Sequence, residues 1–232
     1  MTTPTADQQY YHEHQLSGDR IALWWYARLI RTLRPRGGRL LDFGCGTGHL
    51  LKRLSRHFDA FGYDATACAR HESRTNAPEA IILEEWLSLP VASLDVIVAL
   101  HALEHLPQPL PTMAALVRKL KPGGVFVFVV PHVGGIGHRM KGRRWFAYRD
   151  PTHVSLLSPG EWTRLARKAG LTAVTVHGDG LWDAPYVRMV PTAIQRVVFG
   201  APAALQVLWP GNRAFLPAAF GECLIVTAQR AG

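Results

Sequence analysis

Cysteine is scarce in this chain of 232 residues, and its three copies lie far apart. Cys45, Cys68 and Cys223 form no C-x-x-C pair, whereas disulfide frameworks and cysteine zinc sites both require closely patterned cysteines. The sequence therefore supports neither a disulfide-stabilised scaffold nor a cysteine-bound metal. A reducing compartment fits this composition.

Long apolar runs are also missing. No uncharged apolar stretch reaches the roughly 18 residues that a helix needs to cross a bilayer. Residues 1–20 are polar and include Asp7, Glu13 and Asp19, unlike a secretory signal with its basic start and apolar centre. We expect a cytoplasmic protein, and association with a membrane surface stays open.

Acidic residues are outnumbered, with 17 Asp and Glu against 26 Lys and Arg, which gives a formal charge of +9. This excess predicts anionic partners, such as phosphorylated small molecules, acidic glycans, nucleic acid or lipid headgroups, without choosing among them. The apolar content of 48% and the length of 232 residues predict one sizeable globular domain with room for an insertion.

The segment that most constrains the chain is residues 39–50, which read R-L-L-D-F-G-C-G-T-G-H-L. Its apolar start predicts a short buried strand, its glycines predict a tight turn, and the residues from His49 onward predict a helix. Glycines at alternate positions let a ligand lie against bare main chain. A nucleotide-like cofactor is the predicted occupant.

The glycine spacing and the flanking acids indicate which cofactor. The turn is G-x-G-x-G rather than the dinucleotide fingerprint G-x-G-x-x-G, and Asp42 precedes it. A carboxylate at that place would repel a pyrophosphate but suits a cationic ligand. Asp64 follows the next predicted strand, where a carboxylate can accept both hydroxyls of a ribose.

These residues resemble class I S-adenosylmethionine-dependent methyltransferases, most closely a small-molecule type with a D-P-T-H segment. The matching blocks are residues 42–48, Asp64, residues 89–98, residues 103–106 and residues 120–124, in the family's order. The resemblance implies an α/β, doubly wound, Rossmann-like sheet of seven strands, the last antiparallel, with helices on both faces. It also implies S-adenosyl-L-methionine as cofactor.

By the same resemblance, the cofactor-binding residues are Asp42, Gly44, Cys45, Gly46, Gly48, Asp64, Glu85, Trp86 and Leu100. Within this set, an acid near Glu85 would accept a hydrogen bond from the adenine amino group, with Trp86 beside the ring. Trp86 could equally fill the core, since buried tryptophan is common.

Residues 101–105, H-A-L-E-H, follow the predicted fourth strand at residues 94–100. Alone they match the H-x-x-E-H pattern of inverted zinc peptidases. That pattern needs a helix, whereas a strand runs into this segment and Pro107 follows, so no metal is predicted. The resemblance places His101 and His105 near the transferred methyl group, although His105 could be purely structural.

Residues 134–149 contain five basic residues and three aromatic ones but no acid, and residues 150–153 read D-P-T-H. Guanidinium and aromatic groups together can stack on a base or sugar and pair with phosphate, although a solvated loop also fits. In the resembled subgroup the D-P-T-H histidine reaches the acceptor. His153 and Asp150 are therefore the predicted acid and base, with His105 and His101 as further catalytic candidates.

Periodicity predicts most of the remaining elements. Residues 21–33 and 113–120 predict helices, residues 125–130 a fifth strand, residues 171–176 a sixth and residues 222–228 the antiparallel last one. Ser158, Pro159 and Glu161 have the pattern of an N-cap, a first helical proline and a capping-box glutamate. These elements fit the sheet that the resemblance implies.

The predicted organisation has three parts. Residues 1–37 form an N-terminal helical cap whose leading Tyr10, Tyr11 and His14 could cover the cofactor, and residues 38–177 with 222–232 form the core. Residues 178–221 are an insertion with apolar residues at near-helical spacing, broken by Gly200 and Pro202. Its segment 191–209 could contact a membrane interface, or it could pack on the sheet or on a second subunit as a lid.

The predicted reaction is in-line displacement of the sulfonium methyl by a small-molecule acceptor, which the charge favours as anionic, from glycan or lipid biosynthesis. An RNA methyltransferase, a noncatalytic cofactor-binding partner subunit and a zinc peptidase are the alternatives. Nucleic acid is the less favoured partner, and the oligomeric state stays open.

Overall fold

A computed structural model of the protein describes residues 21–209, 211 and 213–232. The predictions that rest on residues 1–20, including the covering role of Tyr10, Tyr11 and His14, lie outside the described residues. The helix predicted at residues 21–33 is confirmed as α1, Ile21–Leu33.

Seven strands form one sheet in the order β3-β2-β1-β4-β5-β7-β6. The strands are β1 (Arg39–Phe43), β2 (Asp59–Tyr63), β3 (Ile81–Leu83), β4 (Leu94–Leu100), β5 (Leu120–Pro131), β6 (Leu171–Gly178) and β7 (Cys223–Arg230). The other helices are α2 (His49–Leu54), α3 (Ala67–Asn76), α4 (Pro109–Lys119), α5 (Ile136–Lys141), α6 (Pro159–Lys168) and α7 (Thr192–Leu208). Only β7 runs antiparallel to its neighbours, which confirms the predicted doubly wound α/β fold.

Both faces of the central strands are buried. On β5, Phe126 and Phe128 face one core layer with Trp162 of α6, whereas Val127 faces the opposite layer with Ile30 of α1. Strands covered on both faces read as continuous apolar runs, which is why residues 94–100 predicted β4 correctly at both ends.

The carboxyl ends of β1, β4, β5 and β6 lie along one edge of the sheet, because these strands are parallel to one another. The winding changes direction between β1 and β4, which are neighbours although β2 and β3 separate them in the chain. In open α/β sheets ligands bind beyond the carboxyl ends at such a point. The fold therefore places the glycine turn after β1 and the H-A-L-E-H segment after β4 side by side.

Several predicted boundaries are wrong, and the three largest differences concern α4, β5 and α7. Helix α4 begins at Pro109 rather than at residue 113, since proline is well suited to a first helical position. Strand β5 begins at Leu120, and an irregularity absorbs residues 121–124 because Leu94 pairs with Leu120 while Val96 pairs with Val125. Helix α7 continues through Gly200 and Pro202 instead of breaking there. The N-terminal cap of α6 is confirmed, with the Ser158 and Glu161 side chains bonded reciprocally to each other's main chain.

Candidate active site

The glycine turn between β1 and α2 is tightly packed against its neighbours. Gly44 has φ of 78°, and a Cβ atom there would lie 2.5 Å from the Ala102 side chain. Gly48 has φ of 83°, and its Cβ would lie 2.5 Å from the Ser73 hydroxyl oxygen. Side chains are thus excluded by both backbone conformation and space. The contact with Ala102 also brings the turn directly against the H-A-L-E-H segment.

Two buried carboxylates bracket this turn. Asp42 is 2% exposed and Asp64 is 6% exposed, and the charge of Asp64 acts on Asp42. Burial, and then the charge of Asp64, raise the pKa of Asp42 from 3.8 to about 7. Asp64 accepts hydrogen bonds from the main-chain N–H of Gly46 at 3.0 Å and of Thr66 at 2.9 Å. The arrangement provides concentrated negative charge beside bare main chain.

The other residues predicted to bind the cofactor occupy different environments. The Cys45 thiol points into the protein, 3.7 Å from the Ser73 hydroxyl, and burial raises its pKa. Its main chain belongs to the turn, with its N–H bonded to the Tyr63 carbonyl at 3.0 Å. Leu100 ends β4 and packs at the edge of the core.

Glu85 and Trp86 follow β3. Glu85 is exposed, and its carboxylate accepts a hydrogen bond from the Leu87 N–H at 2.9 Å, capping a short 3₁₀ turn. Trp86 is 8% exposed and packs edge-on against Phe43, with ring centroids 5.4 Å apart. The structure therefore gives the Trp86 ring the position of a core residue, while Glu85 stays at the surface.

His101 terminates β4 in a strained conformation. Its φ of 53° is rare for residues other than glycine, and such strain concentrates at functional sites. Nδ1 lies 3.2 Å from a carboxylate oxygen of Glu104, and Nε2 lies 3.9 Å from the Cys223 sulfur. Asp179 is close enough for the charge of His101 to lower its pKa, but burial dominates and raises that pKa to about 7.

The D-P-T-H segment docks onto the residues that follow His101. The main-chain N–H groups of Val154 and Ser155 both donate to the Glu104 carbonyl, at 3.0 and 2.9 Å. The rings of His105 and His153 then lie with their centroids 4.8 Å apart. The structure thus brings all four predicted catalytic residues to the carboxyl edge beside the glycine turn.

The zinc-peptidase geometry is absent from this segment. Residues Leu103–His105 form only a three-residue 3₁₀ turn, so His101 and His105 do not share one face of a helix. His101 instead contacts Glu104, while His105 faces His153. Sequence reasoning missed Glu104 and Thr152 as members of the site, although both lie within motifs that it had singled out.

The basic segment after β5 is folded rather than open. Trp145 is fully buried and donates its ring N–H to the Glu222 carboxylate at 2.8 Å, so it cannot stack on a base. Lys141 is buried in an ion pair with Asp183. Tyr186 also donates its hydroxyl to Glu222, whose pKa is raised chiefly by burial. Glu222, directly before β7, therefore links the basic segment at Trp145 to the insertion at Tyr186.

The insertion is held by two glutamines that the sequence analysis did not single out. Gln195 accepts hydrogen bonds from the Tyr186 and Val187 N–H groups and donates to the Val187 and Val190 carbonyls. Gln206 accepts from the Phe215 and Leu216 N–H groups and donates to the Gly178 carbonyl. Side chains that satisfy main-chain groups on both sides of α7 help to explain why the helix persists through Gly200 and Pro202.

Most of the large apolar residues of α7 face solvent. We call them the outer stripe, and its members with their exposed fractions are Ile194 (53%), Val197 (71%), Val198 (60%), Leu205 (62%), Leu208 (71%) and the adjoining Trp209 (57%). The inner face consists of Gln195, Ala203, Gln206 and Val207. The residues of the outer stripe therefore do not pack on the sheet, whereas Val207 on the inner face joins the core layer that contains Ile30 and Val127. No helix among the described residues is long and apolar enough to span a membrane.

Comparison with known proteins adds a family match. A family model described as a methyltransferase domain matches residues 12–176. A ubiquinone biosynthesis O-methyltransferase of Neisseria meningitidis serogroup C is 28% identical over 160 residues, covering 62% of this chain and 67% of the relative. A protein of Mycolicibacterium smegmatis, named as a probable S-adenosylmethionine-dependent methyltransferase, is 32% identical over 196 residues, covering 79% and 73%. The chain thus spans roughly two thirds to three quarters of these relatives.

Solved structures agree with the fold. The crystal structure of a SAM-dependent methyltransferase from Archaeoglobus fulgidus superposes with a TM-score of 0.63 at 20% identity, covering 95% of this chain and 99% of the other. At 20% identity, this similarity supports the fold alone.

Proposed function

The chain belongs to the methyltransferase-domain family, as a class I S-adenosylmethionine-dependent methyltransferase, and from this premise we propose that it methylates a small molecule. The acceptor would lie at the carboxyl edge of the sheet, beside His101, His105 and His153. The observation that carries the proposal is the glycine turn with Asp42 and Asp64 on either side of it.

The two carboxylates suit different parts of the cofactor. Asp64 follows β2, where a carboxylate can accept ribose hydroxyls. Asp42 is buried near a second negative charge, so a sulfonium cation next to it would favour its ionised form. Glu85 would meet the adenine amino group from the surface, and the main chain of residues 44–48 would contact the nucleoside.

Methyl transfer requires the acceptor nucleophile, the methyl carbon and the sulfur in one line. The nucleophile forms a bond to the methyl carbon, the carbon–sulfur bond breaks, and its electron pair remains on sulfur. The protein contributes chiefly by positioning the two reactants and excluding water. We assign His101, His105, Asp150 and His153 to the acceptor side, because all four converge there and Ala102 packs against Gly44.

A small hydroxylated acceptor has more support than RNA. One similar protein is named for an O-methylation step of ubiquinone biosynthesis. The basic segment, which could have gripped RNA, commits Trp145 to the core and Lys141 to an ion pair. The acceptor class is therefore proposed as a small molecule from a lipid or glycan pathway.

The outer stripe favours an acceptor at a membrane surface. It lies on the insertion, which leaves the sheet at Gly178 and returns at Cys223, on the same edge as the proposed acceptor site. Residues 184–221 contain three arginines and no acidic residue, which complements an anionic bilayer. A large exposed apolar surface beside positive charge is typical of peripheral membrane contact. We therefore propose that α7 rests on anionic lipid.

Vesicle flotation tests this contact. The double variant Val197→Glu, Leu205→Glu should lose recovery with vesicles containing phosphatidylglycerol. The matched control Ile81→Glu, Val91→Glu changes two equally exposed apolar residues near β3 and should float like the parent. Equal recovery of all three proteins would reject the membrane contact, and sedimentation showing a parent dimer that the first variant splits would assign the stripe to a second copy.

Calorimetry with S-adenosylmethionine tests the cofactor assignment. Asp64→Ala should lower affinity by about 100-fold or more, because it removes the ribose acceptor and frees the Gly46 and Thr66 N–H groups. Asp59→Ala, at the exposed start of the same strand, is the control and should bind normally. Undiminished binding by Asp64→Ala would overturn the assignment.

A further inference from the structure

Glu104, His105 and His153 form a compact cluster at the acceptor edge. Each can direct one ligand atom into the cluster, and the three ligand atoms lie within 4.8 Å of one another. Asp150 adds negative charge, with a carboxylate oxygen 3.7 Å from Nε2 of His153. This set differs from the H-x-x-E-H pattern, since it includes a histidine 48 residues further along the chain and leaves out His101.

Hydrogen bonds fix the tautomer of both rings. The Thr152 hydroxyl donates to Asp150, so its oxygen is left to accept the Nδ1–H of His105 at 2.8 Å. Nδ1–H of His153 donates to the Ala147 carbonyl at 2.8 Å. Nδ1 of each ring is thus occupied by an outer hydrogen bond, which leaves Nε2 as the atom available to bind a metal. Metal-binding histidines are held by outer bonds of this kind, to a carbonyl or to a carboxylate-linked group.

Glu104 supplies an independent observation. Its side chain is fully buried, and one carboxylate oxygen contacts His101 while the other, Oε2, has no hydrogen-bond partner among the described residues. A buried carboxylate oxygen without a partner is costly, since it has lost its water without a replacement. A bound cation would remove that cost.

We propose that Glu104, His105 and His153 bind one divalent transition-metal ion of the zinc class. Two imidazoles and one carboxylate are ligands that zinc prefers, with bonds of about 2.0–2.2 Å and a fourth position open. Tetrahedral ligands at that distance lie about 3.4 Å apart, so ligand atoms that now lie within 4.8 Å of one another would have to move together by up to about 1.4 Å. The carboxylates of Glu104 and Asp150 supply the negative charge that attracts a cation.

At an open position the metal would take an acceptor hydroxyl oxygen and favour loss of its proton to solvent. This role rests on the proposed methyl transfer. Metal binding itself does not, because it is measurable without any acceptor or cofactor.

The test is a metal titration of untagged, chelator-treated protein. Cobalt(II), followed by its visible absorption, and zinc(II), followed by elemental analysis after gel filtration, should each bind at about one ion per chain. His105→Ala, His153→Ala and Glu104→Gln should each weaken binding by about 100-fold or more, and Thr152→Val by roughly 10- to 100-fold, as expected when an outer partner is lost. His71→Ala, an exposed histidine on α3, is the control and should bind normally.

Circular dichroism and S-adenosylhomocysteine binding on the same samples show whether each variant is folded. Parent protein without stoichiometric metal, or His105→Ala and His153→Ala binding as tightly as the parent, would overturn the metal site. A parent protein that binds S-adenosylhomocysteine but no metal would reject the metal site and leave the proposed function standing. A parent protein that binds metal but not S-adenosylhomocysteine would support the metal site and contradict the proposed function.

Discussion

The sheet strands and the insertion differ in the side chains that they bury. In β4 and β5 the apolar side chains are inside, with Ile97 and Phe128 fully buried. In α7 two glutamines are inside, while Val197 and Leu205 are exposed. The strands follow the usual association of apolarity with burial, whereas the insertion is organised by the hydrogen bonds that its loops require. Apolar periodicity therefore locates a helix but does not always identify its inner face.

The largest expected effect is on the pH dependence of stability. Each region contributes one buried carboxyl, Asp42 in β1 of the sheet and Asp179 at the start of the insertion. Asp42 and Asp179 both have pKa values raised from 3.8 to about 7, chiefly by burial. Between pH 4 and 7 the folded chain keeps protons that the unfolded chain has released, so stability falls as pH rises through that window. At about 1.4 kcal/mol per pKa unit, each carboxyl contributes up to about 4 kcal/mol.

Denaturant unfolding from pH 4 to 8 checks this. Asp42→Asn and Asp179→Asn should each flatten the pH dependence relative to the parent, because the neutral side chain carries no proton to lose. Saturating S-adenosylmethionine should flatten the parent curve through Asp42 alone, since the sulfonium favours the ionised carboxylate. Parallel curves for variants and parent would contradict the burial argument.

The next effect concerns the polar interior of the insertion. Gln206→Leu leaves the Phe215 and Leu216 N–H groups and the Gly178 carbonyl without their partner. At roughly 1–3 kcal/mol per buried group, the loss should be about 3 kcal/mol or more, although leucine is more apolar. Thermal unfolding measures the loss, and proteolysis should begin within residues 209–216. Gln229→Leu, on the exposed side of β7, should be nearly neutral. If Gln206→Leu is as stable as the parent protein, the hydrogen bonds of Gln206 do not organise the insertion.

The smallest effect is expected on the outer stripe, where a leucine truncation is compared with the same truncation in the core. Leu51→Ala, at a fully buried position of α2, should cost about 2–5 kcal/mol because it leaves a cavity. Leu205→Ala, on the outer stripe, should change stability by at most about 0.5 kcal/mol. Chemical denaturation without lipid compares the two. A large loss for Leu205→Ala would mean that the stripe is covered in solution.

The features that the sequence predicted correctly depend on residues that lie close together in the chain. The continuous apolar run gave β4, the glycine turn was located between β1 and α2, and the capping pattern at Ser158 matched the start of α6. These features depend on local dihedrals and on burial of a whole strand.

Features that depend on distant partners were missed. Gln206 is buried because main-chain groups at residues 178, 215 and 216 converge on it, and no local pattern encodes that. Glu104 matters because residues 150–155 fold back onto it. Trp145 lies in a segment that the sequence left open as a stacking surface or a solvated loop, but it is buried against Glu222, which lies 77 residues away.

The neck of the insertion carries one more consequence. Gly180 and Gly221 form a bridge, and the Glu222 N–H donates to the Gly180 carbonyl at 2.9 Å, so the excursion departs and rejoins at a single point. Because the two ends of the insertion are already paired there, we expect changes in the length of its exposed loops to leave the register of β6 against β7 in place.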